Sequence, residues 1–519
     1  MKKTIFLTVL VFLLVPGLQS SAGLPGVAKD PLKGLDAYIL KAMKDWELPG
    51  LAIAVVKDDK VVLARGYGIR EVGKNDPVDG DTLFAIGSNT KAFTSTALAL
   101  LVQDKKISWD DRATDHLKGF KLFDPYVTRE ITVRDLLSHR SGLGRRGDLL
   151  WYGQDFGRDE ILRRIRFLKP DSSFRSQFGY QNIMFLAAGQ IIPAVTGMSY
   201  DEFIIERLFK PLEMSRSNTS PKDLEGVDNV AVPHTKKGGK VTAIPYRNID
   251  NIAPAGSINS SAAEMARWHR FQLGNGTYAG TKILDPAILQ VTHDPHIVMP
   301  VGPERKKEYP ANHFMAYALG WVLEDYRGRL IIWHNGGIDG MLSHQGFLPE
   351  ENLGVVVLTN SDRNRLDAAL FYRIVDSFLG EPVKDWSQVF LTQAKEGEAK
   401  TEEARKKAEE SRVRDTKPSL DLSGYCGMYE NEMYGKAEVK TEAEKLILYF
   451  NSKPMGTLGH WHYDTFKVNA QPFGSLRFIE LLEDSMITFV LNSQGKAARM
   501  EIEGLDVFER APEPKEKKE

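Results

Sequence analysis

Cysteine is almost missing from this chain of 519 residues. Cys426 is the only one, so no intrachain disulfide can staple the fold. A basic block is missing as well, and the formal net charge is −1. Both observations exclude a nucleic-acid binder held by phosphate electrostatics. Beyond the run Ile5 to Val15 there is no second long apolar stretch, so no stable membrane span is expected once the N-terminus is removed. The pattern G-x-S-x-G occurs nowhere, which removes the α/β-hydrolase reading.

What is present begins at the N-terminus. Lys2 and Lys3 precede the apolar run, a Pro16-Gly17 break follows, and Ser20, Ser21 and Ala22 are small. That is the layout of a signal peptide over residues 1–22, with cleavage after Ala22 and export to a periplasmic or extracellular space. No cysteine adjoins the cleavage site, which excludes lipid attachment there. Hydrophobic content of 42%, with 25 prolines and 44 glycines, is ordinary for a globular protein. The length calls for more than one domain.

Leu51–Val56 and Lys60–Ala64 are β-rich runs joined by Asp58-Asp59 and read as a hairpin. Trp109–Leu117 reads as a loop with an acidic entry, and Ile131–Ser138 as an amphipathic segment broken by H-R-S-G-L. Helices are expected over Ile183–Val195, Asp201–Phe209, Ala262–Leu273 and Leu366–Phe378, with a small-residue loop over Asn251–Ser261. Leu330–Trp333 and Gly354–Thr359 read as strands, separated by a glycine-rich turn at His334-Asn335-Gly336-Gly337. Strands at both ends with helices between suggest an α+β unit, residues 30–385, whose terminal segments share one sheet. From Lys395 to Asp415 both charges mix on alanine, which reads as a solvated helical linker within 386–417. Residues 418–512 turn β throughout, with strands expected at Gly435–Lys440, Lys445–Phe450, Phe466–Asn469, Leu476–Leu482, Met486–Leu491 and Ala497–Ile502. They suggest a small antiparallel barrel.

The chemistry centres on Phe84 to Val102, F-A-I-G-S-N-T-K-A-F-T-S-T-A-L-A-L-L-V. Ser88 and Lys91 lie three apart at the head of an apolar helix and share a face, so hydroxyl and amine can meet. S-x-x-K alone is a weak signal; Ser493–Lys496 repeats it in a hairpin turn. Taken alone, Ser88 reads as a helix cap. Y-x-N is equally weak and occurs at Tyr180-Asn182, Tyr246-Asn248 and Tyr429-Asn431. Asn182 reads as the cap of the helix that follows, and Tyr180 as a packed aromatic. His334 reads as a turn residue, although adjacent glycines also let backbone N–H groups approach a substrate. His460 with His462, and His293 with His296, lack a third metal ligand nearby and read as structural.

The conjunction is more specific than its parts. S-N-T-K, then Y-Q-N before an apolar helix, then H-N-G-G, in that order and spacing, resembles the serine β-lactamase-like hydrolases. The likeness is strongest to the class C, D-aminopeptidase and CubicO-type esterase/peptidase branch. I-T-V-R-D-L-L-S-H-R-S-G-L at 131–143, P-L-E-M at 211–214 and A-G-S-I-N-S-S at 255–261 agree. Residues 420–510 resemble the lipocalin-like domain often appended to such hydrolases.

The resemblance implies a β-lactamase/penicillin-binding-protein-like fold, an antiparallel sheet flanked by helices plus an all-helical subdomain. It makes Ser88 the acylated nucleophile, with Lys91 and Tyr180 sharing the proton transfers and Asn182 orienting Lys91 and meeting the substrate. The backbone N–H groups of Ser88 and Gly337, the latter in the turn with His334 and Gly336, would form the oxyanion hole. No metal or cofactor is implied, and the partner is a small-molecule or peptide substrate. Penicillin-recognising relatives place a lysine where this chain has His334. A histidine near its ordinary pKa of about 6.5 is only partly charged at neutral pH, which points away from strong β-lactam hydrolysis. The expectation is an exported serine hydrolase of small peptides, some with D-residues. The alternatives are a carboxylesterase, a weak β-lactamase or D,D-carboxypeptidase, or a catalytically silent ligand sensor. The C-terminal domain is a candidate for self-association.

Overall fold

The computed structural model describes residues 30–152, 154–469, 482 and 484–512. The signal-peptide layout and the expected strand residues 476–481 lie outside them. Asp58 and Asp59 take φ of +50° and +60°, the pair of left-handed residues that a two-residue hairpin turn requires. They join Gly50–Lys57 to Lys60–Gly68. Gly50–Lys57 also pairs with Leu353–Thr359, Leu51 opposite Thr359 and Val55 opposite Val355. The beginning and end of the α+β unit thus share one sheet. It has eight antiparallel strands in the order 60–68, 50–57, 353–359, 341–348, 329–338, 322–326, 315–317 and 297–299.

Side-chain alternation along Gly50–Lys57 builds two layers. Leu51, Ile53 and Val55 meet Ile39 and Met43 of helix Leu35–Trp46, Phe371 and Val375 of Leu366–Phe378, and Trp386 and Phe390. Ala52, Ala54 and Val56 face the opposite layer, which contains helices Thr90–Gln103, Asn182–Thr196 and Ala262–Leu273. Small alanines on that face let the Ala262–Leu273 helix lie close to the sheet. The helix Trp386–Glu410 buries only its first turn; from residue 396 onward it is exposed.

Several local expectations change. His334 to Gly337 is not a turn: it lies inside the strand Arg329–Ile338, and the chain reverses at Asp339-Gly340, where Gly340 has φ +76°. The Asn335-Gly336 turn signal is overridden because Gly336 faces a close backbone approach. A Cβ there would stand 1.9 Å from the Ile86 carbonyl oxygen. Gln181, not Asn182, caps the apolar helix, its side chain accepting the Ile183 N–H at 2.9 Å. Asn182 is thereby the first helical residue. Only Val133–Leu136 of the 131–138 segment is helical, Ala113–His116 forms a helical turn in the expected loop, and Asn251–Ser261 holds a short helix, Ala253–Gly256. The 201–209 helix begins at Tyr200 and widens to π geometry over Ile205–Phe209.

The C-terminal strands close into an eight-stranded up-and-down antiparallel barrel, with Gly427–Asn431 pairing Val507–Arg510 at the seam. Strands Gly427–Asn431, Lys453–His462 and Val507–Arg510 were not foreseen. Glycines, a proline and histidines dilute their β pattern. His460 bonds the Tyr463 carbonyl, and His462 accepts from the Val413 N–H, which are structural roles. Among the described residues no single helix is long and apolar enough to cross a membrane.

The segment 131–143 is organised by one buried carboxylate. Asp135 accepts from the Thr132 N–H at 2.8 Å, from Arg140 at 2.6 Å and from Arg175 at 2.6 Å. Burial pushes its pKa up, but the Arg175 and Thr132 hydrogen bonds and the Arg140 charge hold it below the usual carboxylate range. Asp135→Ala strands two arginines that still reach solvent, so a loss of about 3 kcal/mol is expected, the lower end for a broken buried pair. The urea midpoint of the variant checks this; an unchanged midpoint would refute the role.

Candidate functional site

Ser88 sits on a 3-10 turn, Gly87–Asn89, that feeds directly into helix Thr90–Gln103. The turn is strapped to the sheet. The Asn89 side-chain amide donates to Ser343 Oγ at 2.7 Å, and Ser343 Oγ donates to the Ile86 carbonyl at 2.7 Å. Both bonds fix where the Ser88 hydroxyl points.

Lys91 lies one turn on and is completely buried. Its Nζ is 3.0 Å from Ser88 Oγ, 2.8 Å from Asn182 Oδ1 and 2.7 Å from the Ala255 carbonyl. Burial drives the lysine pKa well below its ordinary value; Asp148 opposes this and Arg145 reinforces it. A neutral amine has two N–H groups and one lone pair. Asn182 Oδ1 and the Ala255 carbonyl can only accept, so they take both N–H groups, and the lone pair faces the Ser88 hydroxyl. The Tyr180 hydroxyl donates to Ser88 Oγ from the other side at 2.7 Å.

Behind Asn182 stands Asp148, which sequence reasoning missed. Asn182 Nδ2 donates to its Oδ1 at 3.0 Å, Trp151 Nε1 donates to the same oxygen at 2.9 Å, and Arg145 reaches Oδ2 at 3.2 Å. The chain of contacts runs Asp148, Asn182, Lys91, Ser88. His139, from the H-R-S-G-L stretch, also carries an unforeseen role. Its carbonyl accepts the Gly179 N–H at 2.8 Å and its Nδ1 accepts the Gln181 N–H at 3.1 Å, so it grips the backbone on both sides of Tyr180. Its ring lies 4.2 Å from the Tyr180 ring.

Ile338 faces Met341 across the two-residue turn. By the alternation of an antiparallel ladder, the Gly337 N–H therefore points away from the strand 341–348. A Cβ on Gly87 would stand 2.6 Å from the Gly337 nitrogen, so this N–H lies beside the Ser88 turn. The two backbone donors expected of an oxyanion hole are neighbours.

Ser88, Tyr180, Asn182, His334, Gly336 and Gly337 all line one cavity of about 420 Å³, with Lys91 beneath its floor. Trp151, Phe178, Ile252, Met299, Tyr317 and Trp333 give it apolar walls. Arg145 is the one charged side chain among the described residues that line it, its guanidinium 5.4 Å from the Tyr180 ring centroid.

His334 departs from expectation. It is buried, and its Nδ1 lies 2.5 Å from the Asn335 carbonyl, so Nδ1 carries the proton and Nε2 accepts from the Tyr317 hydroxyl at 3.0 Å. Burial, the nearby Lys91 and, in opposition, the Asn335 bond set its pKa at about 3. The imidazole is neutral rather than partly charged at pH 7. Both of its nitrogens are already engaged.

The family model described as Beta-lactamase matches residues 35–377. The chain belongs to the beta-lactamase family. It is a hydrolase of beta-lactamase fold, and the barrel region, 411–518, matches a domain of unknown function, DUF3471. The unguisins hydrolase ungD of Aspergillus violaceofuscus is 29% identical over 439 residues, 80% of this chain and 77% of that protein. The octameric penicillin-binding protein homologue from Pyrococcus abyssi superposes over 92% of this chain and 100% of its own, with a TM-score of 0.61 at 21% identity. A D-stereospecific amidohydrolase from Streptomyces sp. covers 63% of this chain and 94% of its own, TM-score 0.51 at 22% identity. These structural likenesses place this beta-lactamase-family chain by its fold.

Burial also depresses His344 to about 3 and His269 and His293 to about 4, and pushes His139 well below its ordinary value. Each binds a proton in the unfolded chain at about pH 6.5 but not in the folded one. Stability is therefore full above that pH and falls as pH drops toward about 4. Calorimetry across this range should show proton uptake on unfolding, and His344→Gln should reduce the uptake by about one proton. A pH-independent uptake, unaltered in the variant, would contradict the neutral histidines.

Proposed function

We propose that this chain is an exported serine hydrolase that cleaves amide or ester bonds through a Ser88 acyl-enzyme. Its substrates are small peptides, including peptides with D-residues. The observation that carries the proposal is the buried Lys91 Nζ, 3.0 Å from Ser88 Oγ, with Asn182 Oδ1 and the Ala255 carbonyl at 2.8 and 2.7 Å as its other partners.

Ser88 Oγ attacks the substrate carbonyl as its proton passes to Lys91 Nζ. The carbonyl oxygen becomes an oxyanion facing the N–H groups of Ser88 and Gly337, each donor worth about 3 kcal/mol. Tyr180, already donating toward Ser88 Oγ, hands its proton to the departing amine or alkoxide and is reprotonated from Lys91. Water then attacks the acyl-enzyme by the same path in reverse, and Ser88 recovers its hydrogen. Asn182 and Asp148 keep Lys91 aimed. The apolar walls suit apolar side chains. The neutral His334 supplies no cation for a substrate carboxylate, which favours peptides and esters over β-lactams. The D-stereospecific amidohydrolase supports the amide and D-residue reading, the unguisins hydrolase supports hydrolysis, and the N-terminal layout supports export.

Ser88→Ala is expected to abolish hydrolysis of p-nitrophenyl esters and of D- and L-amino-acid p-nitroanilides, and to abolish the fluorophosphonate adduct seen by mass spectrometry. An adduct on another residue would overturn the assignment. Tyr180→Phe should lower kcat by about 10²–10⁴-fold. Asp148→Asn removes the anion that raises the Lys91 pKa. The acid limb of kcat/KM, where Lys91 gains a proton and stops accepting one, should therefore move to lower pH; a shift upward would contradict Lys91 as the base.

A further inference from the structure

The stretch 144–152 supplies Arg145, Asp148 and Trp151 to the site; Gln181, Asp171 and Asn251 hold it from within the beta-lactamase-family domain, and the barrel holds it and the chain just beyond it from outside. The Tyr434 hydroxyl donates to the Arg146 carbonyl at 3.2 Å. Two residues beyond Tyr152, the Gln154 amide oxygen accepts from Asn451 Nδ2 at 2.6 Å, and Lys453 pairs with Asp155 at 2.6 Å. Arg164, at the end of helix Arg158–Arg164, donates to the Met433 and Glu432 carbonyls at 3.0 and 3.1 Å.

The barrel residues in these contacts sit at two neighbouring hairpin ends. Tyr434 lies between the strands Gly427–Asn431 and Gly435–Glu442; Asn451 lies between Lys445–Phe450 and Lys453–His462. Both are braced from within the barrel. Asn451 Oδ1 accepts the Lys436 N–H at 3.1 Å, and Tyr434 is buried and stacks near Phe508. Gln154 is also buried. The Tyr434 and Asn451 bonds are each half-buried and so more shielded from water than the exposed Asp155–Lys453 pair, which adds little.

We infer that Tyr434 and Asn451 of the barrel are positioning residues for the site. Tyr434 holds 144–152 at Arg146, and Asn451 holds the chain just beyond it at Gln154, so that the stretch keeps Asp148 on Asn182 and Arg145 over Tyr180. The catalytic consequence rests on the Ser88 reading above; the hold on the stretch does not. The barrel thereby acts on chemistry through the chain Asp148, Asn182, Lys91, without contributing a group to the reacting atoms.

The test uses the full-length protein. In the double variant Tyr434→Phe/Asn451→Ala, hydrogen–deuterium exchange of the peptide 144–152 should speed up about tenfold while exchange in Thr90–Gln103 stays unchanged. kcat for an ester substrate should fall about tenfold, with a smaller change in KM. Tyr434→Phe alone removes only the hydroxyl that meets the Arg146 carbonyl, keeps the ring packed in the barrel, and should speed the same exchange about threefold. Protected exchange in both variants, with wild-type kcat, overturns the proposal. An inert wild-type protein whose variants still show fast exchange at 144–152 overturns the Ser88 reading and leaves the barrel's hold supported. If the double variant unfolds, Tyr434→Phe decides alone: slow exchange there overturns the proposal.

Discussion

A lysine without water around it governs this structure. Lys91 is buried completely, and an ammonium there would have to be desolvated with no carboxylate among the described residues in direct contact. Burial therefore drives the amine's pKa down, and each neighbour answers one of its three directions. Asn182 must present its oxygen, which requires Asp148 to take the amide N–H groups on the other side. Ala255 must present a carbonyl, which the short helix Ala253–Gly256 places there. The third direction is left to Ser88. Segments separated by more than 160 residues converge on one nitrogen atom.

The sheet makes that convergence possible. Strand Arg329–Ile338 runs past the Ser88 turn closely enough that Gly336 has no room for a side chain. The same approach that excludes a Cβ brings the Gly337 N–H beside Ser88. Ser88 and Gly337 come from opposite ends of the α+β unit, and they meet because its terminal strands share one sheet. His139 performs a similar service on the Tyr180 side, through backbone contacts rather than chemistry.

Where local signals were strong and unopposed they were legible. The Ala262–Leu273 and Leu366–Phe378 helices and the strands Lys445–Phe450, Met486–Leu491 and Ala497–Ile502 stand where periodicity puts them. Asn335-Gly336 was misread because a turn signal is local, and the contact that overrides it comes from Ile86, about 250 residues away in sequence. Asn182 was taken for a cap because asparagine caps well; Gln181, a poorer capping residue, does the capping because Asn182 is engaged by Lys91 and Asp148. His334 kept its solution pKa on paper because burial is not written in a sequence.

By itself the sequence determined the residue types and their order: a serine and lysine one helical turn apart, a Y-x-N before an apolar helix, and a histidine with two glycines. These follow from short-range chemistry, the 3.6-residue period and turn stereochemistry. Tertiary structure alone decided the protonation of that chemistry. It withdrew water from Lys91 and His334, set Asp148 behind Asn182, and laid the barrel's Tyr434 and Asn451 against the stretch carrying Arg145 and Trp151. Each of these depends on what is packed around a group, and packing joins residues that no local pattern connects.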